Sequence, residues 1–318
     1  MPASVFQQNP RIRLLKIRWS HGLAAMLCAG TLVLLAAGAL VTGTGSSLAV
    51  PDWPLAYGEL FPPMVGGILY EHGHRLIAAT VGLFTVILCG WLLWAEERRW
   101  VKALGGVALL LVIVQGAMGG LTVLLLLPTV VSIGHAMLAH LFFLLTVMLF
   151  QVTHPAWGSM KPRNRDAAPR RLRVWGLVAV GAVLLELLLG ATMRHNSAGL
   201  AIPDFPLAYG GLIPPLTSFP VVIHFLHRLG ALVAFLAVAG VLWRTLARHR
   251  GEAWLLRPAL ALGTLMVLQA LLGALAVLTQ LAVLLTTLHV VNGALLLGTA
   301  GLLTLRAGRL ESAAAGAV

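Results

Sequence analysis

Polar residues are scarce along most of this chain, and they gather between long apolar runs rather than alternating with apolar positions at helix or strand spacing. Eight runs, near 20–42, 72–94, 102–125, 130–152, 173–193, 221–243, 255–277 and 281–304, are apolar on all sides. Crossing a hydrocarbon core about 30 Å thick takes about 20 helical residues. Within that core each backbone N–H and C=O must be paired inside the segment, which a helix achieves. The pattern therefore predicts an all-α polytopic membrane protein with eight transmembrane helices. The first run follows Arg11, Arg13, Lys16 and Arg18, has full span length and precedes no evident cleavage signal, so it reads as a retained span.

Composition removes the alternatives. Of 318 residues 59% are hydrophobic and 10% charged, against about 25% charged in a soluble domain. No soluble fold could cover so much apolar surface. The formal net charge of +12 does not point to nucleic acid, because the basic residues sit in short segments and form no continuous face. They collect instead in alternate connections: the N-terminus, the turn near 95–102, the 153–173 segment with Lys161, Arg163, Arg165, Arg170, Arg171 and Arg173, and the 244–257 segment. With Arg306 and Arg309, these mark the cytoplasmic side. Both termini are then cytoplasmic, and the loops at 43–71 and 194–220 are outside. Cys28 and Cys89 lie within apolar runs, where a thiol acts as a small hydrophobe.

The chain also repeats itself. Leu48-Ala-Val-Pro-Asp-Trp-Pro-Leu-Ala-Tyr-Gly58 returns as Leu200-Ala-Ile-Pro-Asp-Phe-Pro-Leu-Ala-Tyr-Gly210. Nearly the same offset pairs His74-Arg75 with His227-Arg228, Gln115 with Gln269, Gly119 with Gly273, and His135 with His289. An even number of spans per unit brings the second copy back in the same orientation, giving two parallel four-helix-bundle repeats about an axis along the membrane normal. The halves are 1–153 and 173–318, joined by a basic cytoplasmic linker at 154–172.

Depth sorts the eleven histidines. His21, His154 and His249 fall at cytoplasmic ends and His195 in an outer loop, all expected to be solvated or interfacial. His74, His135, His227 and His289 fall within the outer leaflet, where an ionisable residue is costly unless paired or liganding. Two imidazoles per half, with no repeated set of Cys, Asp or Glu beside them, suit the axial positions of a haem iron; zinc would want three or four protein ligands. Gly38-Ala39, its repeat Gly190-Ala191, and the Gly116 to Gly120 cluster leave room for a flat macrocycle or for close helix packing. Arg75 and Arg228, each following a candidate ligand, could pair with a haem propionate or snorkel to water.

His72 and His140 are rotated away from their neighbours His74 and His135. Glu71, three residues before His74, shares its face, and the second half has His224 there instead. This chemical asymmetry makes Glu71 a candidate acid, base or proton carrier, the alternative being a water-exposed carboxylate stabilised by its helix N-terminus. Trp53, Tyr57, Phe205 and Tyr209, with Asp52 and Asp204, belong to an interfacial belt and suggest structured caps over two pockets.

Glu71-His72-Gly73-His74-Arg75, Ser132-Ile133-Gly134-His135-Ala136, His224-Phe225-Leu226-His227-Arg228 and Leu288-His289-Val290-Val291-Asn292, with the two Pro-Asp-Trp/Phe-Pro-Leu loops, resemble haem A synthase along the whole chain. The resemblance implies an enzyme that oxidises a methyl group of haem O to the formyl group of haem A by successive hydroxylation, for cytochrome oxidase assembly. It implies that His74 and His135 hold the substrate haem, that His227 and His289 hold a haem b, and that Glu71 is catalytic. It further implies a bacterial or archaeal plasma membrane, with haem O synthase and oxidase assembly factors as partners. Some members carry a cysteine pair around the Pro-Asp-Trp-Pro-Leu segment; here those places are Val50 and Ala56, then Ile202 and Ala208, so a thiol mechanism cannot operate. Two rival readings remain. A di-haem cytochrome b would place ligands in both leaflets, and an alternating-access transporter would show helices broken at the midplane.

Overall fold

The computed structural model describes residues 10–162 and 169–316; Arg163 and Arg165 of the basic segment lie outside them. The described residues form eight helices: α1 (Pro10–Gly43), α2 (Gly67–Ala95), α3 (Arg99–Leu124), α4 (Thr129–Val152), α5 (Arg170–His195), α6 (Phe219–Arg248), α7 (Ala253–Leu278) and α8 (Val283–Ala314). Each is long and apolar enough to cross a membrane, and each covers all but one or two residues of one of the eight apolar runs. The helices outrun those runs most at α1 and α8, because Lys16, Arg18, Arg306 and Arg309 are good helix formers that continue the coil beyond the apolar stretch.

Proline marks two of the helices. Pro220 stands in the first turn of α6, where its missing N–H has no intrahelical partner to lose. Pro258 lies inside α7 and cannot donate to the carbonyl four residues back, Trp254. That carbonyl instead accepts from Arg306 Nη1 of α8 at 3.2 Å, so the acceptor is not left bare in an apolar setting.

In the first half α1 packs on α2 and α4, and α3 lies between α2 and α4; α5, α6, α7 and α8 are arranged likewise. The halves meet through α1, α4, α5 and α8. The main apolar core runs along these helices and includes Leu27, Leu149, Leu172, Leu297 and Leu303. Gly298 of α8 faces Phe143 of α4, a small residue admitting a large one as membrane helix pairs favour.

At the end where α1 begins, Arg306 Nε donates to Gln151 Oε1 at 2.9 Å, and Arg309 donates to the carbonyls of Trp157 and Gly158. His21 stacks on Phe150 with centroids 4.6 Å apart and meets His154 edge-on at 4.9 Å. His21 and His154 are therefore packed among aromatic rings, and His249 is buried, at the end where sequence depth had suggested solvated or interfacial side chains. His195 closes α5 instead of standing in a loop.

Candidate functional site

The opposite end carries the two repeated loops, and they fold alike. Asp52 accepts from the N–H groups of Tyr57 and Gly58 at 2.7 and 2.8 Å; Asp204 accepts from Tyr209 and Gly210, both at 2.8 Å. Tyr57 and Tyr209 donate to the carbonyls of Ala49 and Ala201. Gly58 and Gly210 sit at φ 77° and 76°, the left-handed region that favours glycine. Val50, Ala56, Ile202 and Ala208 are buried, so apolar packing occupies these four places.

The backbone N–H groups of Gly58 and then Tyr57 hold the Asp52 carboxyl below its ordinary value of 3.8. A carboxylate favoured by folding stabilises the loop above the unfolded value and loses that contribution as pH falls through the lower folded value. Asp52→Ala should therefore expose the 44–66 loop to limited proteolysis at neutral pH, and the wild-type loop should lose its protection only below about pH 4. Equal cleavage of both proteins at pH 7 would show that the carboxylate does not hold the loop.

The arginine after each candidate ligand ties its loop down. Arg75 donates from Nη1 to the carbonyls of Asp52 and Leu55 at 2.7 and 2.9 Å, and from Nη2 to Val50 O and Glu71 Oε1 at 3.1 and 2.7 Å. Arg228 donates to the carbonyls of Leu207, Ile202 and Asp204. A propionate reaching either guanidinium would share it with these carbonyls. Glu71 is buried, and its Oε2 accepts from Val50 N–H at 2.8 Å. In the second half the matching N–H, of Ile202, is accepted by His224 Nδ1 at 3.2 Å. Glu71 and His224 thus do the same structural task. His72 turns its Nε2 to Leu60 O at 3.0 Å, and His140 its Nδ1 to Ala136 O at 2.8 Å, so neither joins the neighbouring site.

His74, His135, His227 and His289 lie within the first two or so turns of α2, α4, α6 and α8, which run in one direction, so all four stand at the loop end. Each ring lies against a glycine of the preceding helix. A β-carbon at Gly38, Gly119, Gly190 or Gly273 would come within 3.1, 3.2, 3.0 or 3.1 Å of Cε1 of His74, His135, His227 or His289. These glycines were legible in sequence as room for a macrocycle or as packing; they are seats for the imidazoles. All four Nδ1 atoms are buried with no hydrogen bond of good geometry, and that of His227 has a carboxylate oxygen 2.8 Å away. Overpacking such a seat costs about 1–3 kcal/mol, so Gly190→Val should lower the thermal midpoint in detergent, and an unchanged midpoint would show that the ring is free to move aside.

In the second half His227 and His289 have ring centroids 6.4 Å apart and planes crossing at 78°. His74 and His135 lie within electrostatic reach of each other. Among the described residues no cluster of three or more His, Cys, Asp and Glu side chains gathers to hold a metal, so two-imidazole sites are what the fold offers. Such sites fit an iron whose remaining ligands come from a macrocycle.

Other residues complete the sites. Gln115 Nε2 donates to His135 O at 3.1 Å and lies 3.4 Å from His135 Nε2. Gln269 Nε2 lies 3.4 Å from His289 Nε2, and its Oε1 accepts from Asn292 at 2.7 Å. The repeat singled out both glutamines without giving them a role. Trp53 lies over Gly120, beside the His135 seat. One residue escaped sequence reasoning altogether: Glu186 of α5, whose Oε1 is 2.8 Å from His227 Nδ1.

A family model described as cytochrome oxidase assembly protein matches residues 65–300. A "Heme A synthase" of Symbiobacterium thermophilum is 35% identical over 284 residues, covering 84% of this chain and 89% of the relative. Another, from Halalkalibacterium halodurans, is 32% identical over 237 residues, 71% of this chain and 76% of its own length. A third, from Lysinibacillus sphaericus, is 29% identical over 289 residues, 88% and 92% of the two chains.

Proposed function

The chain belongs to the cytochrome oxidase assembly protein family, and from that premise we propose that it is the membrane enzyme that oxidises a methyl group of haem O to the formyl group of haem A. The observation that carries this reading is the pair of two-histidine sites at one end of an eight-helix bundle, each ring seated on a glycine. His74 and His135 bind the iron of the substrate haem O, and His227 and His289 bind that of a haem b. The haem irons supply the redox chemistry. The polypeptide binds, orients and encloses: the glycine seats set the rings, Trp53 and the 44–66 loop cover the first site, and Glu71 moves a proton. Glu71 Oε1 is engaged by Arg75, whereas Oε2 holds only a backbone N–H, so Oε2 is the atom that takes it up. Arg75 and Arg228 stand where a propionate would meet them.

The same reading sets the protein in its membrane. The basic connections put both termini in the cytoplasm and the two loops outside a bacterial or archaeal plasma membrane. The halves at 1–153 and 173–318 are parallel repeats, the first catalytic, and haem O synthase and oxidase assembly factors supply and receive the haem. All four ligands at one end argue against an electron wire across the membrane, which would need ligands at both. The test is to produce the protein with a source of haem O, purify it in detergent, and identify its haems by pyridine haemochrome spectra and mass spectrometry. Haem A or a hydroxylated precursor beside haem b is expected; haem b alone in both halves would transfer the reading to an electron-transfer cytochrome.

A further inference from the structure

The two histidine pairs differ in what lies behind their first ring. Glu186 stands one turn before the seat Gly190 on α5 and directs Oε1 to His227 Nδ1 at 2.8 Å, out of line for a straight hydrogen bond. Its Oε2 has no partner and occupies a cradle left by Gly230, since a β-carbon there would collide with that oxygen. Carried through the repeat, Glu186 becomes Leu34 and Gly230 becomes Ile77, two apolar residues packed on the main core. The carboxylate and the space for it thus occur together in the second half and are replaced together in the first. On that side His74 meets the backbone of Leu34, where His227 meets a carboxylate. A carboxylate in an apolar helix bundle is costly unless partnered, and among the described residues the partner of Glu186 is His227.

We infer that Glu186 is a positioning residue for His227, a carboxylate that fixes the ring and raises its basicity toward the iron, and that the first site is built without one. A carboxylate on the far nitrogen of a liganding histidine settles its tautomer and increases its donation to the metal. Greater donation stabilises the ferric state over the ferrous. The second-half haem is therefore held more tightly and has the lower midpoint potential of the two.

The inference rests on the reading that the histidine pairs bind haem, and the experiment separates the two. In a His74→Ala background, which leaves only the second-half site, the purified protein is first checked for a bis-histidine haem spectrum; its absence would fail the haem reading itself. With that haem present, Glu186→Gln is compared by redox titration and by haem retention against apomyoglobin. The expected result is a rise in midpoint potential and a loss of affinity of about 10–100-fold. An unchanged potential and affinity would overturn the inference. Should Glu186→Gln lose its haem during purification, Gly230→Ala asks the same question by pushing the intact carboxylate off the ring: a raised potential supports the role, and an unaltered one overturns it. Leu34→Glu with Ile77→Gly, made in a His227→Ala background, should lower the potential of the first-half haem.

Discussion

His74→Ala is expected to abolish haem A formation while the second-half haem stays in place. Loss of a partner behind a metal ligand costs about 10–100-fold, and loss of the ligand itself should exceed that, reducing the rate by more than about 100-fold. The substitution also leaves a void against Gly38, where the imidazole now fills the space a β-carbon would occupy. Truncating a large buried side chain costs about 3–5 kcal/mol, so the surviving second-half spectrum serves as the internal measure of folding. His227→Ala should give the complementary pattern, with haem O still bound by the first half. The measurement is haem content and product in each purified variant. If His74→Ala still made haem A and His227→Ala still bound haem b, the assignment of halves would fail.

Glu71→Gln should slow haem A formation by about 100- to 10,000-fold, the range for removing a general acid or base, with the substrate haem spectrum unchanged. A glutamine oxygen can still accept from Val50 N–H, and although the ion pair with Arg75 is lost, Arg75 keeps its bonds to the carbonyls of Asp52, Leu55 and Val50. The second half already does without the carboxylate, because neutral His224 accepts from Ile202 N–H in the same place. The loop alone therefore does not demand a carboxylate at position 71. Single-turnover rates at matched haem O loading would decide the matter: a normal rate in Glu71→Gln would reduce Glu71 to a loop anchor.

Features that depend on composition or on repetition were open to sequence reasoning. The eight helices follow from apolar runs that only a bilayer can solvate, and the four histidines from their recurrence at equal depth. Features that depend on which side chains meet across helices were not. Leu34 stands where Glu186 would be in the first half, so comparison of the chain with itself passed over it; its contact, His227, is on another helix. The arginine staples were hidden because their partners are backbone carbonyls of Val50, Asp52, Ile202 and Asp204, which carry no side-chain signature. The glycine seats were visible as glycines, but whether they admitted a cofactor, a helix or a ring could not be settled by spacing. The burial of His249 was not legible because a position just past a span says nothing of the neighbours folded over it.

The difference behind His74 and His227 also bears on how long each guest stays. A converting site must let its product go, while a site for a resident group must not exchange. The four glycine seats are nearly equal in depth, from 3.0 to 3.2 Å, so they give no reason for one half to release and the other to keep. The carboxylate behind His227 and the leucine and isoleucine behind His74 supply that reason: one imidazole is clamped from the rear by a charged group, and the other is not. On this view the two halves divide turnover from retention, and a duplicated scaffold came to handle a transient and a permanent haem by exchanging two residues that face each other across one helix pair.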